Sequence, residues 1–176
     1  MDKKEIIECL EYEFMNYKYE TLKMIEQGRV LFPLTDMDGN ITGVIGRHNT
    51  LKPKYIIRGT GFFGNFNTER DEIIITEGVM DVITAQAYSY NNVVSFSCVN
   101  PEDAFNDDVL KRIAKLNKRI ILFFDNDAIG QKSAKALRAK MDEYGIEVYN
   151  YQLDKAVDLI DFLKQGGSLD KIAEAL

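Results

Sequence analysis

Residues 119–130 read RIILFFDNDAIG, an apolar run that ends in two aspartates and a glycine. The continuous apolar run predicts a strand that is buried on both faces, because a half-exposed strand would alternate apolar and polar residues. Asp125 and Asp127 follow this strand directly and are one residue apart, so both carboxylates can face the same side. Functional groups collect at the carboxyl ends of strands in open parallel sheets. This stretch therefore predicts a parallel sheet with a candidate site at its edge.

The same alternation of apolar strand and helix continues on both sides of this stretch. The predicted strands cover residues 73–76, 93–96, 119–124 and 147–151, and the predicted helices cover residues 79–90, 106–117, 128–144 and 168–175. Strand and helix alternate along the chain, and the strands are continuously apolar. This pattern predicts an α/β fold with a mostly parallel, four-stranded sheet that helices cover on both faces.

The first 70 residues have a different pattern. Its predicted elements are a helix over residues 3–27, strands over Val30–Leu34 and Ile41–Ile45, and short strands and loops over the Gly- and aromatic-rich residues 53–67. The tripeptide at 38–40 (DGN) lies between the two strands and is a strong hairpin-turn signal. We therefore predict an N-terminal helix and basic β-subdomain over residues 1–70, followed by an α/β domain over residues 71–176.

Charge is distributed unevenly along the chain, whose net charge is −6. Residues 46–70 contain five basic residues and one acid, and are therefore net positive. Residues 71–176 contain 12 basic and 18 acidic residues. A basic segment beside an acidic half fits an enzyme that holds a phosphate backbone with one part and divalent cations with the other. A solvated charged surface would give the same counts, so charge alone leaves both interpretations open.

Several classes of protein do not fit the sequence. No segment is long and apolar enough to span a membrane, and the N-terminus is too charged for a signal peptide, so we expect a cytoplasmic protein without a membrane partner. The two cysteines, Cys9 and Cys98, are far apart and form no CxxC pair, so we expect no zinc site. The single histidine, His48, has no accompanying acid–base motif, and a surface or hairpin role is expected for it.

Acidic residues follow three of the four predicted strands. They are Glu77 and Asp81 after the first strand, Asp125 and Asp127 after the third, and Asp158 and Asp161 beyond the fourth. Clustered carboxylates raise each other's pKa values, and a bound Mg²⁺ or Mn²⁺ would relieve that repulsion. Two such ions about 4 Å apart would stabilise both oxygens of an in-line phosphoryl displacement. The alternative is that these acids cap the helices that follow, as Asp127 could for the helix predicted at 128–144.

Two motifs resemble those of a known family. Residues 75–81 (ITEGVMD) and 123–130 (FFDNDAIG) resemble the EGxMD and FDxDxAG signatures of the TOPRIM domain in DnaG-type primases. Upstream, residues 29–34 (RVLFPL) and the pair Lys54-Tyr55 resemble the start of the primase catalytic core. The resemblance covers roughly residues 29–165. It implies a TOPRIM, Rossmann-like α/β fold for the second domain.

The resemblance also implies roles for individual residues. Glu77, Asp125 and Asp127 would be the catalytic acids and main metal ligands, with Asp81 and Asp158 as further metal-side acids. These acids would hold two Mg²⁺ or Mn²⁺ ions. Asp161 is left unassigned, because the residues DLID at 158–161 depart from the family's usual DPD-like spacing. The contacts to template or nucleotide phosphates would come from Arg47, Lys54 and Arg58. Tyr55, which adjoins Lys54, could stack on a base of single-stranded DNA.

The function that the resemblance implies is DNA-templated synthesis of an RNA primer. In that reaction a nucleotide 3′-hydroxyl attacks the α-phosphate of an incoming NTP on single-stranded DNA. The sequence departs from the family in lacking an evident zinc-binding or helicase-binding domain, and in carrying SCVN at residues 97–100. We therefore expect a phage or mobile-element primase that depends on a replicative helicase or other replication protein. Two alternatives stay open, a TOPRIM nuclease that uses the same acids and a non-catalytic primase-derived protein that binds DNA or a helicase.

Overall fold

The structure, a computed structural model, describes residues 18–66, 68–97, 101–152 and 158–175. The helix expected over residues 3–27 is therefore described only from Lys18 onward, and Cys9 and Cys98 lie outside the described residues. The chain divides into two compact units, Met1–Phe62 and Phe63–Leu176. The domain boundary that the sequence suggests after residue 70 stays a prediction.

The first unit is a short helix on an antiparallel sheet. Its elements are α1 (Lys18–Glu26), β1 (Val30–Thr35), β2 (Ile41–Arg47) and β3 (Tyr55–Gly59), and the strand order is β3-β2-β1. The β1–β2 hairpin is confirmed. Its turn is closed by the Asp36 carboxylate, whose Oδ1 accepts hydrogen bonds from the main-chain N–H of Asp38 at 2.8 Å and of Asn40 at 2.9 Å.

Helix α1 packs on one face of this antiparallel sheet. Met24 of α1 and Val44 of β2 are buried together, and Ile56 of β3 packs against them. Gly46 makes this approach possible, because a Cβ atom there would lie 2.5 Å from Met24 Sδ. Gly46 therefore sets how closely helix α1 can lie on strand β2.

The second unit contains the parallel sheet that the sequence predicts. Its strands are β4 (Phe62–Gly64), β5 (Glu72–Thr76), β6 (Val93–Phe96), β7 (Arg119–Phe123) and β8 (Val148–Asn150), with β4 beginning one residue before the unit. The hydrogen-bonded order β6-β5-β7-β8 is parallel throughout, which confirms the α/β class. The sheet is larger than the four strands predicted, because β4 lies next to β6. A Cβ atom at Gly64 would lie 2.4 Å from the main-chain oxygen of Val93.

Helices cover the parallel sheet. They are α2 (Val79–Ala87), α3 (Pro101–Ala104), α4 (Asp107–Leu116), α5 (Ala128–Asp142), α6 (Leu159–Lys164) and α7 (Leu169–Ala175). One face packs against α2, α6 and α7 through Ile74, Val93, Ile121 and Phe123 of the sheet and Val82, Leu159, Leu163 and Ile172 of the helices. Side chains alternate between faces along a strand. We therefore infer that the buried residues of α4 and α5 cover the opposite face, to which Ile73 and Ile75 point.

Two short helices were not predicted. Helix α3 has four residues and α6 has six, and neither is long enough to establish a helical period in the sequence. Ser168 begins the last helix as expected, and its Oγ accepts the main-chain N–H of Lys171 at 3.3 Å. No helix in the described parts of the chain has the length and apolar character needed to cross a membrane.

Candidate functional site

The candidate acids lie at the carboxyl edge of the parallel sheet in the second unit. Thr76, the last residue of β5, is in register with Phe123, the last residue of β7. The chain continues from these two positions to Glu77 on one side and to Asp125 on the other. The parallel register therefore brings together acids that are about fifty residues apart in the sequence.

Glu77 is half-buried at this edge. Burial of the carboxyl group, followed by the charges of Asp125, Asp127 and Asp81, raises the pKa of Glu77 to about 7. Its Oε1 lies against the start of helix α5, where a Cβ atom on Gly130 would be only 3.1 Å away. Near neutral pH, Glu77 therefore exchanges a proton readily in the absence of a counter-charge.

Asp81 lies in the first turn of α2. Its Oδ2 accepts the main-chain N–H of Gly78 at 3.2 Å, which ties the carboxylate to the beginning of the helix. Burial and the charge of Asp125 raise the pKa of Asp81 to about 7, with a smaller contribution from Asp158, while the hydrogen bond from Gly78 opposes the shift. Asp81 is thus a second carboxyl group of this edge whose charge is disfavoured.

Asp125 belongs to the same electrostatic cluster. The residue as a whole is exposed, but partial burial of its carboxyl group and then the charges of Asp127 and Asp158 raise its pKa. Each of the five predicted acids therefore lies close enough to at least one of the others to interact with it electrostatically. We use the name acidic edge for the set Glu77, Asp81, Asp125, Asp127 and Asp158.

Two members of the acidic edge also begin helices. Asp127 Oδ1 accepts the main-chain N–H of Ile129 at 2.9 Å and of Gly130 at 2.8 Å, so this residue is the N-cap of α5. Asp158 Oδ1 accepts the main-chain N–H of Asp161 at 2.7 Å and caps α6. The capping alternative raised for Asp127 is confirmed. Capping occupies Oδ1 of each residue, and it does not remove either charge from the edge.

The acidic edge fits a hard divalent cation in its donor chemistry. All five side chains offer carboxylate oxygens, the ligands that Mg²⁺ and Mn²⁺ prefer, and the raised pKa values show that negative charge is in excess. Among the residues that the structure describes, no three acidic, histidine or cysteine side chains converge closely enough to hold one ion.

Buried hydroxyl groups lie on one face of the sheet near the acidic edge. Thr76 and Ser95 are paired in register, and Ser97 follows two residues later on the same face. All three are buried, and their side-chain oxygens have no hydrogen-bond partner. No site role was predicted for these three residues, although a hydroxyl residue near the end of an otherwise apolar strand was the available signal.

A cluster of three amide side chains, one of which contacts Asp125, was also missed. Gln131 of α5 donates from Nε2 to the main-chain oxygen of Asp125 at 3.5 Å, and its Oε1 accepts hydrogen bonds from Asn150 and Gln152. Asn150 Oδ1 is buried and has no partner. We name Gln131, Asn150 and Gln152 the amide cluster. No spacing in the sequence indicated it, because residue 131 comes about twenty positions before the other two.

The predicted nucleic-acid residues lie in the first unit and do not all face the same way. Arg47 and Tyr55 are paired across β2 and β3, and Arg47 Nε donates to Tyr55 Oη at 3.2 Å. The Lys54 Nζ lies 5.7 Å from the centre of the Tyr55 ring. Arg58 is paired with Val44, whose side chain packs against α1, so Arg58 lies on the helix-bearing face. The first three residues form a basic aromatic surface, and Arg58 is separate from it.

His48 has the hairpin role that the sequence indicates. Its Nδ1 accepts main-chain N–H groups of Thr50 at 3.1 Å and Leu51 at 2.9 Å, which closes the loop between β2 and β3. These bonds fix the loop that precedes Lys54. His48 therefore supports the position of the basic aromatic surface.

Comparison with known proteins identifies the family. The Toprim-like family model matches residues 74–163, just over half of the chain. The DNA primase of Clostridium acetobutylicum is 29% identical over an alignment of 183 residues, gaps included. The alignment covers 88% of this chain and 30% of that primase. The catalytic core of the E. coli primase superposes with a TM-score of 0.69 at 22% identity, and covers 82% of this chain and 50% of that core.

A DNA primase domain from Pseudomonas aeruginosa is a further structural match. It superposes with a TM-score of 0.62 at 27% identity, over 82% of this chain and 49% of that domain. The chain thus spans about a third of the curated primase that it matches and about half of the solved domains. The matched family segment contains every acid of the acidic edge. The chain belongs to the Toprim-like family, and it is similar to DnaG-type DNA primases.

Proposed function

We propose that this protein catalyses DNA-templated synthesis of RNA primers by divalent-metal-dependent nucleotidyl transfer. The observation that carries the proposal is the acidic edge, where burial and then the charges of neighbouring carboxylates raise the pKa values of Glu77, Asp81 and Asp125. Such clustering opposes folding unless a cation balances it, so we interpret it as a functional feature. The similarity to DNA primases supports the choice of reaction.

The acids would hold two Mg²⁺ or Mn²⁺ ions. Glu77, Asp125 and Asp127 are the proposed main ligands, and Asp81 and Asp158 the supporting acids. Because Oδ1 of Asp127 and Oδ1 of Asp158 accept main-chain N–H groups, Oδ2 of each is the oxygen that we assign to the cations. The bound ions would neutralise charge on the attacking and leaving oxygens.

In the proposed reaction, the 3′-hydroxyl oxygen of one nucleotide bonds to the α-phosphorus of an NTP, and the bond to pyrophosphate breaks. The hydroxyl proton would pass to water, and the bound cations would favour its loss by lowering the pKa of the attacking hydroxyl. The same acids would serve hydrolysis in a nuclease, with water in place of the 3′-hydroxyl.

The first unit would bind the single-stranded template. Arg47 and Lys54 offer positive charge for phosphates, and the 39%-exposed Tyr55 offers a ring on which a base can stack. We propose that the chain depends on a replicative helicase or another replication protein for template choice. A non-catalytic role in binding DNA or a helicase is the second candidate, and the basic aromatic surface is the observation that supports it.

Incorporation of labelled NTPs on single-stranded DNA tests the proposal, with Mg²⁺ or Mn²⁺ and with or without a replicative helicase. We expect short RNA products from the wild type and none from Asp125→Asn. Asp142→Asn is the matched control, because Asp142 lies at the other end of α5 in a surface ion pair with Arg138. Shortened template strands would indicate the nuclease, and intact template that is bound without product would indicate the binding protein.

A further inference from the structure

The amide cluster joins three parts of the second unit at the acidic edge. Gln131 comes from the first turn of α5, Asn150 ends β8, and Gln152 follows that strand. Gln131 contacts the main-chain oxygen of Asp125, and Asn150 Nδ2 donates to Gln131 Oε1 at 3.5 Å. Gln131 therefore lies beside the residue that we assign as a main metal ligand, and the other two amides contact Gln131.

The cluster has an unused acceptor. Asn150 Oδ1 is buried and has no hydrogen-bond partner, whereas Nδ2 of the same side chain is engaged by Gln131. An unsatisfied buried oxygen is unfavourable, so such groups are usually paired with a ligand or an ordered water. Gln152 is exposed, and its Nε2 is engaged by Gln131, so its carbonyl oxygen is a second acceptor nearby.

We propose that Gln131, Asn150 and Gln152 form a subsite for the nucleoside part of a nucleotide whose phosphates lie at the acidic edge. This inference rests on the proposed function, and it adds the group that is recognised next to the phosphates. Amide side chains form neutral hydrogen bonds with sugar hydroxyls and with the edges of bases. The acceptor on Asn150 calls for a donor, which a ribose hydroxyl or an exocyclic base amine supplies and a phosphate oxygen does not.

Binding of ATP and of inorganic triphosphate, measured by calorimetry in the presence of Mn²⁺, tests the subsite. We expect Asn150→Leu to weaken ATP binding about tenfold, a loss of ~1.4 kcal/mol. Binding of inorganic triphosphate should stay unchanged, because that probe has no nucleoside. Gln152→Leu should act in the same direction. Gln86→Leu is the control, since Gln86 is an exposed amide in the last turn of α2.

Three further nucleotides, UTP, 2′-deoxy-ATP and purine riboside triphosphate, identify the donor. Equal weakening of ATP and UTP by Asn150→Leu, with little effect on 2′-deoxy-ATP, identifies a ribose hydroxyl. Weakening of ATP alone, with purine riboside triphosphate unaffected, identifies the base amine. Either result supports the subsite.

The contradicting results separate the two proposals. Unchanged ATP affinity in both Asn150→Leu and Gln152→Leu, in proteins that still bind Mn²⁺, would overturn the subsite and leave the metal site standing. Equal losses of ATP and inorganic triphosphate would also overturn it, since the amides would then act only through Asp125. A wild type that binds neither Mn²⁺ nor ATP would overturn both the subsite and the proposed function.

Discussion

The Glu77 carboxylate lies directly against Gly130, so that a Cβ atom on this glycine would come within 3.1 Å of Oε1. The same Cβ atom would lie 2.3 Å from the main-chain oxygen of Asp125, which is closer than packed atoms can approach. Gly130 thus permits the end of β5, the loop after β7 and the first turn of α5 to meet. The acidic edge depends on this absence of a side chain.

We expect Gly130→Ala to destabilise the fold and to weaken metal binding together. Overpacking of this kind costs about 1–3 kcal/mol. In a domain of this size each kcal/mol lowers Tm by about 2–4 °C. Thermal denaturation and Mn²⁺ titration measure the two effects. Ile129→Ala, at the neighbouring residue whose side chain is 76% exposed, is the control and should change neither.

Stability of the metal-free protein should fall as pH rises from about 5 to about 8. The native pKa values of Glu77 and Asp81 are raised to about 7 from 4.5 and 3.8, so the folded state holds more protons than the unfolded state in this range. A group of this kind stabilises the fold below its unfolded pKa, and the stabilisation is lost as pH passes the folded pKa. Denaturant unfolding at several pH values measures how steeply the free energy of unfolding falls with pH.

Comparison with a variant isolates that slope. Glu77→Gln removes one titrating group, so its stability should decline less with pH, and at about pH 8 it should be more stable than the metal-free wild type. Millimolar Mg²⁺ should restore the wild type at high pH and have little effect on the variant. A variant that is less stable than the wild type at about pH 8 would show that Glu77 is a structural residue.

Two substitutions of Asp127 should distinguish its role as a helix cap from its proposed role as a metal ligand. Asp127→Asn keeps an oxygen that can accept the N–H groups of Ile129 and Gly130, so Tm should be nearly unchanged while Mn²⁺ affinity falls. Asp127→Ala loses the capping oxygen as well as the proposed metal ligand. It should therefore lower the stability by about 1 kcal/mol besides weakening Mn²⁺ binding. Calorimetric titration and thermal denaturation of the two variants give the comparison. Equal Mn²⁺ affinity in wild type and Asp127→Asn would remove Asp127 from the ligand set.

The basic aromatic surface predicts a difference between two arginines. Arg47→Ala removes a charge that lies over Tyr55, and should weaken binding of single-stranded DNA and reduce its salt dependence. Arg58→Ala removes the same charge from the face that carries α1, and should have a smaller effect. Fluorescence anisotropy with a labelled oligonucleotide at several salt concentrations measures both. An equal loss in the two variants would indicate non-specific attraction by net charge.

The sequence predicted the parallel sheet because its strands carry an unmistakable signal. The segments that become β5 and β7 are continuously apolar, and helical spacing follows each of them, so strand type and order of elements were both accessible. Helix α6 was missed because its two buried residues, Leu159 and Leu163, give only one helical repeat. The added strand β4 has three residues, too few to show a period.

The acids of the site could be identified from sequence, but their surroundings could not. Glu77 and Asp125 lie immediately after strands, where position along the chain already indicates the edge of the sheet. The contact between Glu77 and Gly130 and the amide cluster depend on how α5 and β8 pack in three dimensions. That Arg58 and Arg47 lie on opposite faces also required the strand register. Apolar and polar residues do not alternate along β3, so its sequence does not show which face each side chain takes.

Titration of the wild-type protein with Mn²⁺, beside Glu77→Gln and Asp125→Asn, tests the central claim most directly. We predict saturable binding by the wild type that tightens as pH rises through about 7, because the carboxylates must lose their protons to bind the ion. Both variants should bind at least tenfold more weakly, and Asp142→Asn should bind as the wild type does. A wild type that binds no Mn²⁺ would contradict a metal site at the acidic edge. Equal Mn²⁺ affinity in all four proteins would contradict it as well.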